Sequence, residues 1–151
     1  MPKLFLVISL LCSLSLLIGC SSGGTRVEHV TGTVTLDGEP VEGARIAFSP
    51  VSPDGENEGA FGRSDASGVY LLTSWGGEPD RGAMAGEYIV TVQKAEVIEL
   101  MPPDETRSTY IETTAVRNLL PEIYLDRNTT PLRATVNRGR NIINLELTST
   151  P

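Results

Sequence analysis

The chain of 151 residues is poor in the groups from which most catalytic and metal sites are built. It has one histidine, one tryptophan and two cysteines, and both cysteines, Cys12 and Cys20, lie in the first 20 positions. A single imidazole excludes a His-rich zinc site, and thiols confined to the N-terminal segment leave the rest of the chain without a disulfide or thiolate centre. Packing must therefore supply the stability. Positive charge is scarce as well: 12 Lys and Arg against 19 Asp and Glu give a net charge of -7 and a pI near 4.7. Such a balance repels phosphate backbones, so no nucleic acid is expected as a partner. Heptads and internal repeats are absent, and no apolar run reaches the roughly 20 residues of a spanning helix.

What is present begins with Leu4 to Ile18, 15 mostly apolar residues behind the basic Lys3, the length of a signal-peptide h-region. The run closes on Leu17-Ile18-Gly19-Cys20, the form of a bacterial lipobox. Residues 1–19 are thus expected to be a lipoprotein signal peptide. The Cys20 thiol would accept a diacylglyceryl group and become the first residue of the mature chain, one unit more negative once Lys3 is gone. Residues 20–26 are expected to be the lipidated cysteine and a flexible tether, of which Ser21 to Gly24 reaches at most about 14 Å. A triacylated Cys20 would hold the domain close to a bilayer, because each buried acyl methylene contributes about 0.8 kcal/mol. Ser21 and Ser22, with no Asp directly after the cysteine, resemble the pattern of lipoproteins sent to an outer membrane. The expected location is extracytoplasmic, on a bacterial membrane.

From Val27 onward, apolar residues recur at every second position in short runs, the signature of half-buried strands. Val30, Val34 and Leu36 share a face, followed by the turn Asp37-Gly38; Ala44, Ile46 and Phe48 line a second strand. Phe61 and Arg63 mark a third, Val69 to Thr73 a fourth after the turn Asp65 to Gly68, and Tyr88, Val90 and Val92 a fifth. Leu132, Ala134 and Val136, then Arg138-Gly139, then Ile143, Leu145 and Leu147 read as a terminal hairpin. Seven short strands predict an all-β, seven-stranded antiparallel β-sandwich, each sheet covering the apolar face of the other. One domain, 27–151, is expected, with a long loop over 95–131 that holds one helical turn near Asn118 to Tyr124 and packs in part across a sheet edge.

Gly32-Thr-Val34-Thr-Leu-Asp37-Gly38-Glu-Pro40-Val41-Glu-Gly43-Ala44, then Ser64-Asp65-Ala-Ser-Gly68-Val-Tyr70 and Gly86-Glu-Tyr88-Ile-Val90, resemble the carboxypeptidase regulatory-like domain family. The tail, with Pro121-Glu-Ile-Tyr124, Thr130-Pro131-Leu132 and Gly139-Arg-Asn141, resembles the ending of small bacterial lipoproteins that carry this domain. The resemblance implies a prealbumin-like (transthyretin-like) sandwich and a noncatalytic role. Its motifs specify turns and core positions, hence a fold far better than a function. A transthyretin-related hydrolase would need several histidines and a Tyr-Arg-Gly-Ser ending. This chain has His29 alone and ends Leu147-Thr-Ser-Thr-Pro151, so no enzyme activity is expected.

Two groups outside the anchor are candidates for binding. Trp75, in the loop Trp75-Gly76-Gly77, is placed to contact a sugar or a protein partner, or to fold back as a lid over the core. Asp54, Glu56, Glu58 and Asp65 have the spacing of a calcium loop, but Glu56 and Glu58 are longer than the usual Asp or Asn and Asp65 is shorter than the bidentate Glu. We read them as an acidic hairpin loop, with no metal or cofactor. His29, near the tether and without a nucleophile motif, reads as a solvated side chain. The function expected is a membrane-anchored module binding an envelope protein or polysaccharide, or else a structural scaffold of the envelope such as a secretion-system lipoprotein.

Overall fold

The computed structural model describes residues 26–52, 57–75, 82–99 and 114–150. The signal-peptide run, Cys20, Asp54 and Glu56 lie outside them. The described strands are β1 (Val27–Glu28), β2 (Val30–Leu36), β3 (Glu39–Pro40), β4 (Arg45–Pro50), β5 (Ala60–Arg63), β6 (Val69–Leu71) and β7 (Thr73–Ser74). They continue with β8 (Ala83–Met84), β9 (Gly86–Gln93), β10 (Ala95–Glu99), β11 (Thr114–Asn118), β12 (Arg133–Val136), β13 (Asn141–Ile142) and β14 (Leu145–Leu147). A single 3₁₀ turn, Glu122–Tyr124, is the only helical element among the described residues.

The strands form two five-stranded sheets and two ribbons. One sheet runs β12-β9-β4-β5-β7 and is antiparallel throughout. The other is built on β2, which pairs antiparallel with β3 and β6 and parallel with β13 and β14. The alternation expected in the sequence decides which side chains enter the core. Val30 and Val34 from β2, Ile46 and Phe48 from β4, and Tyr88, Val90 and Val92 from β9 are all buried. Aromatic rings pack between the two sheets, Phe48 of β4 lying 6.4 Å from Tyr70 of β6 in the opposite sheet and 5.7 Å from Tyr88 of β9 in its own, between ring centroids. Each fully buried side chain of this kind contributes about 1.5–3 kcal/mol. Between β2 and β3 the turn falls on Asp37 and Gly38, both with positive φ (52° and 88°), the two-residue hairpin that Asp-Gly favours.

The expected terminal hairpin does not form. β12 pairs with β9 in the first sheet, whereas β13 and β14 pair in parallel with β2 in the second. The turn at Arg138-Gly139 is therefore a crossing between sheets. Asn141 makes the crossing possible: its Oδ1 accepts the Asn137 N–H at 2.8 Å and its Nδ2 donates to the Asn137 carbonyl at 2.8 Å. A side-chain amide thus satisfies both main-chain groups that a hairpin partner would have taken. Gly32 accommodates the chain beyond the crossing, since a Cβ there would sit 1.8 Å from the Ile143 carbonyl oxygen. That carbonyl instead accepts the Tyr70 hydroxyl at 2.6 Å.

A second crossing lies at Leu72, whose neighbours β6 and β7 belong to different sheets. Leu72 is buried and its N–H bonds to the Val30 carbonyl at 3.0 Å. The purely antiparallel arrangement is accordingly corrected to two sheets between which the chain passes at β3–β4, β5–β6, β6–β7 and β12–β13, one of the sheets containing parallel pairs. The long loop over 95–131 is corrected as well. β10 and β11 form an antiparallel ribbon from Ala95↔Asn118 to Glu99↔Thr114, supported by an ion pair between Arg117 and Glu96. Val97 and Val116 face each other across it, 70% and 67% exposed, and neither enters the core. Leu120 and Tyr124 pack into the core beside the 3₁₀ turn, as the part expected to pack on the sheets.

The N-terminal end of the domain is tied down by a buried carboxylate. Glu28 is 5% exposed; its Oε2 accepts the Gly139 N–H at 2.7 Å, and its Oε1 lies 3.1 Å from Arg26 Nε. β1, carrying Glu28, pairs only with the two residues of β8.

Candidate functional site

The residues of β4, β5 and β9 that do not enter the core face outward, and cross-strand register sorts them into rows. Gln93, Arg45 and Arg63 form one row; Thr91, Ala47, Phe61 and Thr73 form the next. Ala47 is the smallest side chain in its row, so the sheet is hollowed there. An open groove of about 750 Å³ results, walled by Phe61 and Trp75 on one side and closed at an end by Leu125.

Trp75 follows β7 directly and its N–H bonds to the Gly59 carbonyl at 2.9 Å. This bond extends the β5–β7 pairing by one step and turns the indole over Gly59. A Cβ at position 59 would lie 2.9 Å from both Cδ1 and Nε1 of the indole, so the glycine is the seat on which Trp75 rests. Phe61 meets the indole edge-on, with centroids 5.5 Å apart and planes at 65°. Such pairs contribute roughly 0.5–1.5 kcal/mol and fix the ring's orientation. Trp75 nevertheless remains 59% exposed and Phe61 45%. Of the two placements considered for Trp75, a contact surface and a lid over the core, the structure has the exposed one.

The electrostatics of the groove are opposite to those of the chain. Arg45 and Arg63 stand directly across from each other on β4 and β5. Like charges so placed repel. Among the described residues neither guanidinium has an ion-pair partner, and no acidic side chain lines the groove. Sequence reasoning singled out Trp75 but not these two arginines or Phe61 as its neighbours. Alternation put Phe61 and Arg63 on one face; the pairing of β4 with β5 and β9 was the missing information.

The other candidates have different surroundings. Asp65 Oδ1 accepts the Ser67 and Val69 N–H groups at 2.8 and 3.0 Å, which makes it the organiser of the turn before β6. Glu58 is exposed and lies before β5, whereas Asp65 lies after it. The extended chain between them, at about 3.3 Å per residue, places them far beyond a shared ion whose oxygen ligands stand at 2.3–2.6 Å. His29 is exposed between β1 and β2, and its carbonyl accepts the Asn141 N–H at 2.8 Å. Cys20 lies outside the described residues. Among those residues no helix is long and apolar enough to cross a membrane. No family model, no curated protein and no solved structure matches this chain.

Proposed function

We propose that this chain is a noncatalytic module of a bacterial cell envelope, anchored by lipid at Cys20 and built as a prealbumin-like, seven-stranded sandwich of the carboxypeptidase regulatory-like type. It holds a protein or polysaccharide of the envelope against the outer face of the β12-β9-β4-β5-β7 sheet. The observation that carries the binding role is the exposed, oriented indole of Trp75 in one groove with two arginines that have no acidic partner among the described residues. An aromatic ring held rigidly in the open loses little entropy when it is covered. The lipobox run ending at Cys20 supports the anchor.

Mass spectrometry of the mature N-terminus tests the anchor: an acylated Cys20 supports it, and a Cys20→Ser chain should appear in the soluble fraction. Photo-crosslinking from position 61 in intact cells tests the binding face, with cross-linked products expected only where that face is occupied. A scaffold role is the second reading, favoured by the exposed Val97 and Val116 of the β10–β11 ribbon. Cross-links from position 97 rather than 61 would favour it.

A further inference from the structure

We infer that the Trp75 groove takes an acidic polysaccharide, one whose sugar rings carry carboxylates. The inference rests on the binding-face reading above and adds the chemical class of the ligand. Three observations converge on it. The first is charge: in a chain of net charge -7, the groove presents Arg45 and Arg63 side by side and no acidic side chain among its described lining residues. Cross-strand arginines repel each other, and an anion between them removes the repulsion while accepting the paired N–H donors of each guanidinium.

The second observation is shape. The groove is open to solvent on the outer face of the sheet and about 750 Å³ in volume, with the small Ala47 in its floor. An open trough admits a polymer that enters and leaves, unlike a closed cavity that would bury a whole small molecule. The third is the indole. Trp75 is held by Gly59 and Phe61 with more than half its surface exposed, an apolar plane in the same groove as the two arginines and separated from their row by that of Phe61. A sugar ring offers an apolar face and polar edges, so one ring of the polymer can lie on the indole while the carboxylates of rings further along it reach Arg45 and Arg63. Gln93 and Thr91, neighbours of Arg45 and Ala47 on β9, supply hydrogen-bonding groups for hydroxyls in the same rows. An acidic polypeptide would satisfy the arginines but has no ring for the indole, and the observations favour the glycan on that ground.

The test uses detergent-solubilised full-length protein and three polymers: polygalacturonate, a neutral glucan and poly-glutamate. Trp75 is the chain's one tryptophan, so its emission reports directly on the groove. Polygalacturonate should shift that emission and bind at least tenfold more tightly than either other polymer. Arg45→Gln with Arg63→Gln should weaken binding at least tenfold with the melting temperature unchanged or higher, and Trp75→Leu should do the same by calorimetry. Equal or tighter binding of poly-glutamate, equal binding of the glucan, or undiminished binding by the double arginine variant overturns the inference. No response to polygalacturonate, together with cross-linked products from position 61 in cells, overturns the glycan alone. No response and no cross-links overturn the binding face with it.

Discussion

The indole of Trp75 rests on Gly59 with no room between them for a methyl group, a Cβ at position 59 falling 2.9 Å from two atoms of the ring. The ring's direction is thus set by the residue before β5 as much as by its own backbone. Gly59→Ala should tilt the indole away from Phe61, shift its emission, and weaken any ligand of the groove by about tenfold. The domain itself should lose no more than about 1–2 kcal/mol, because the displaced ring is a surface group free to move outward. Fluorescence spectra and denaturant unfolding of the variant measure both.

Arg63 is expected to trade stability for binding. Replacing it with Gln removes a like-charge neighbour of Arg45, which should stabilise the fold by about 0.2–1 kcal/mol at low salt, with the gain shrinking as salt screens the pair. Melting temperatures at two ionic strengths check the sign and the screening.

Val136 and Ile142 stand on either side of the crossing at Asn141 and should answer oppositely. Val136 is 2% exposed and Ile142 71%. Val136→Asp buries a charge without a partner and should cost at least about 3 kcal/mol, whereas Ile142→Asp should change stability by less than about 0.5 kcal/mol.

The parallel pairing of β2 with β14 places Thr35 opposite Glu146. Adjacent strands lie about 4.8 Å apart, within the range a disulfide spans. Oxidation of a Thr35→Cys, Glu146→Cys chain should therefore close a bond in the folded protein. Arg133→Cys with Asn144→Cys, the pair that a terminal hairpin turning at Arg138-Gly139 would have brought together, should stay reduced. Reversal of that result would restore the hairpin and dismantle the crossing at Asn141.

Tyr70 links alkaline stability to the same crossing. Burial raises its phenol above the ordinary value of 10.0, and Tyr88 is raised for the same reason. A raised acid holds its proton more tightly in the folded state, so the contribution is complete below pH 10 and is lost as pH climbs toward the folded values. Unfolding free energy should be flat from pH 8 to about 9.5 and fall above 10. Tyr70→Phe should flatten part of that fall while costing about 1–3 kcal/mol at neutral pH, because the Ile143 carbonyl loses its donor.

Alternation in Val30 to Leu36 and in Tyr88 to Val92 located the core faces correctly, since a period of two is imposed wherever one side of a strand is dry. It does not name the partner strand. Leu132 to Val136 and Ile143 to Leu147 alternate as a hairpin would, yet an asparagine amide, invisible to any periodicity, sends them to different sheets. Val97 and Val116 pair on an exposed face of their ribbon, where two valines give no sign of being buried or of pairing with each other. The groove was half legible. A lone loop tryptophan drew attention, but Arg45, Phe61 and Arg63 join it only through register between separate strands, the paired residues of β4 and β5 lying 12 to 18 positions apart in the chain.

The parallel pairs of β2 also set an order in time. The Thr33 N–H bonds to Asn144 Oδ1 across 111 positions of the chain, and the Asp37 N–H bonds to the Leu147 carbonyl. β2 emerges early in synthesis and cannot acquire these neighbours until the last of them has been made, a long-range closure of the kind that slows folding. For a chain led across a membrane by the signal peptide proposed above, that delay is useful. The sheet built on β2 would stay open during such a passage and complete itself only when β14 arrives.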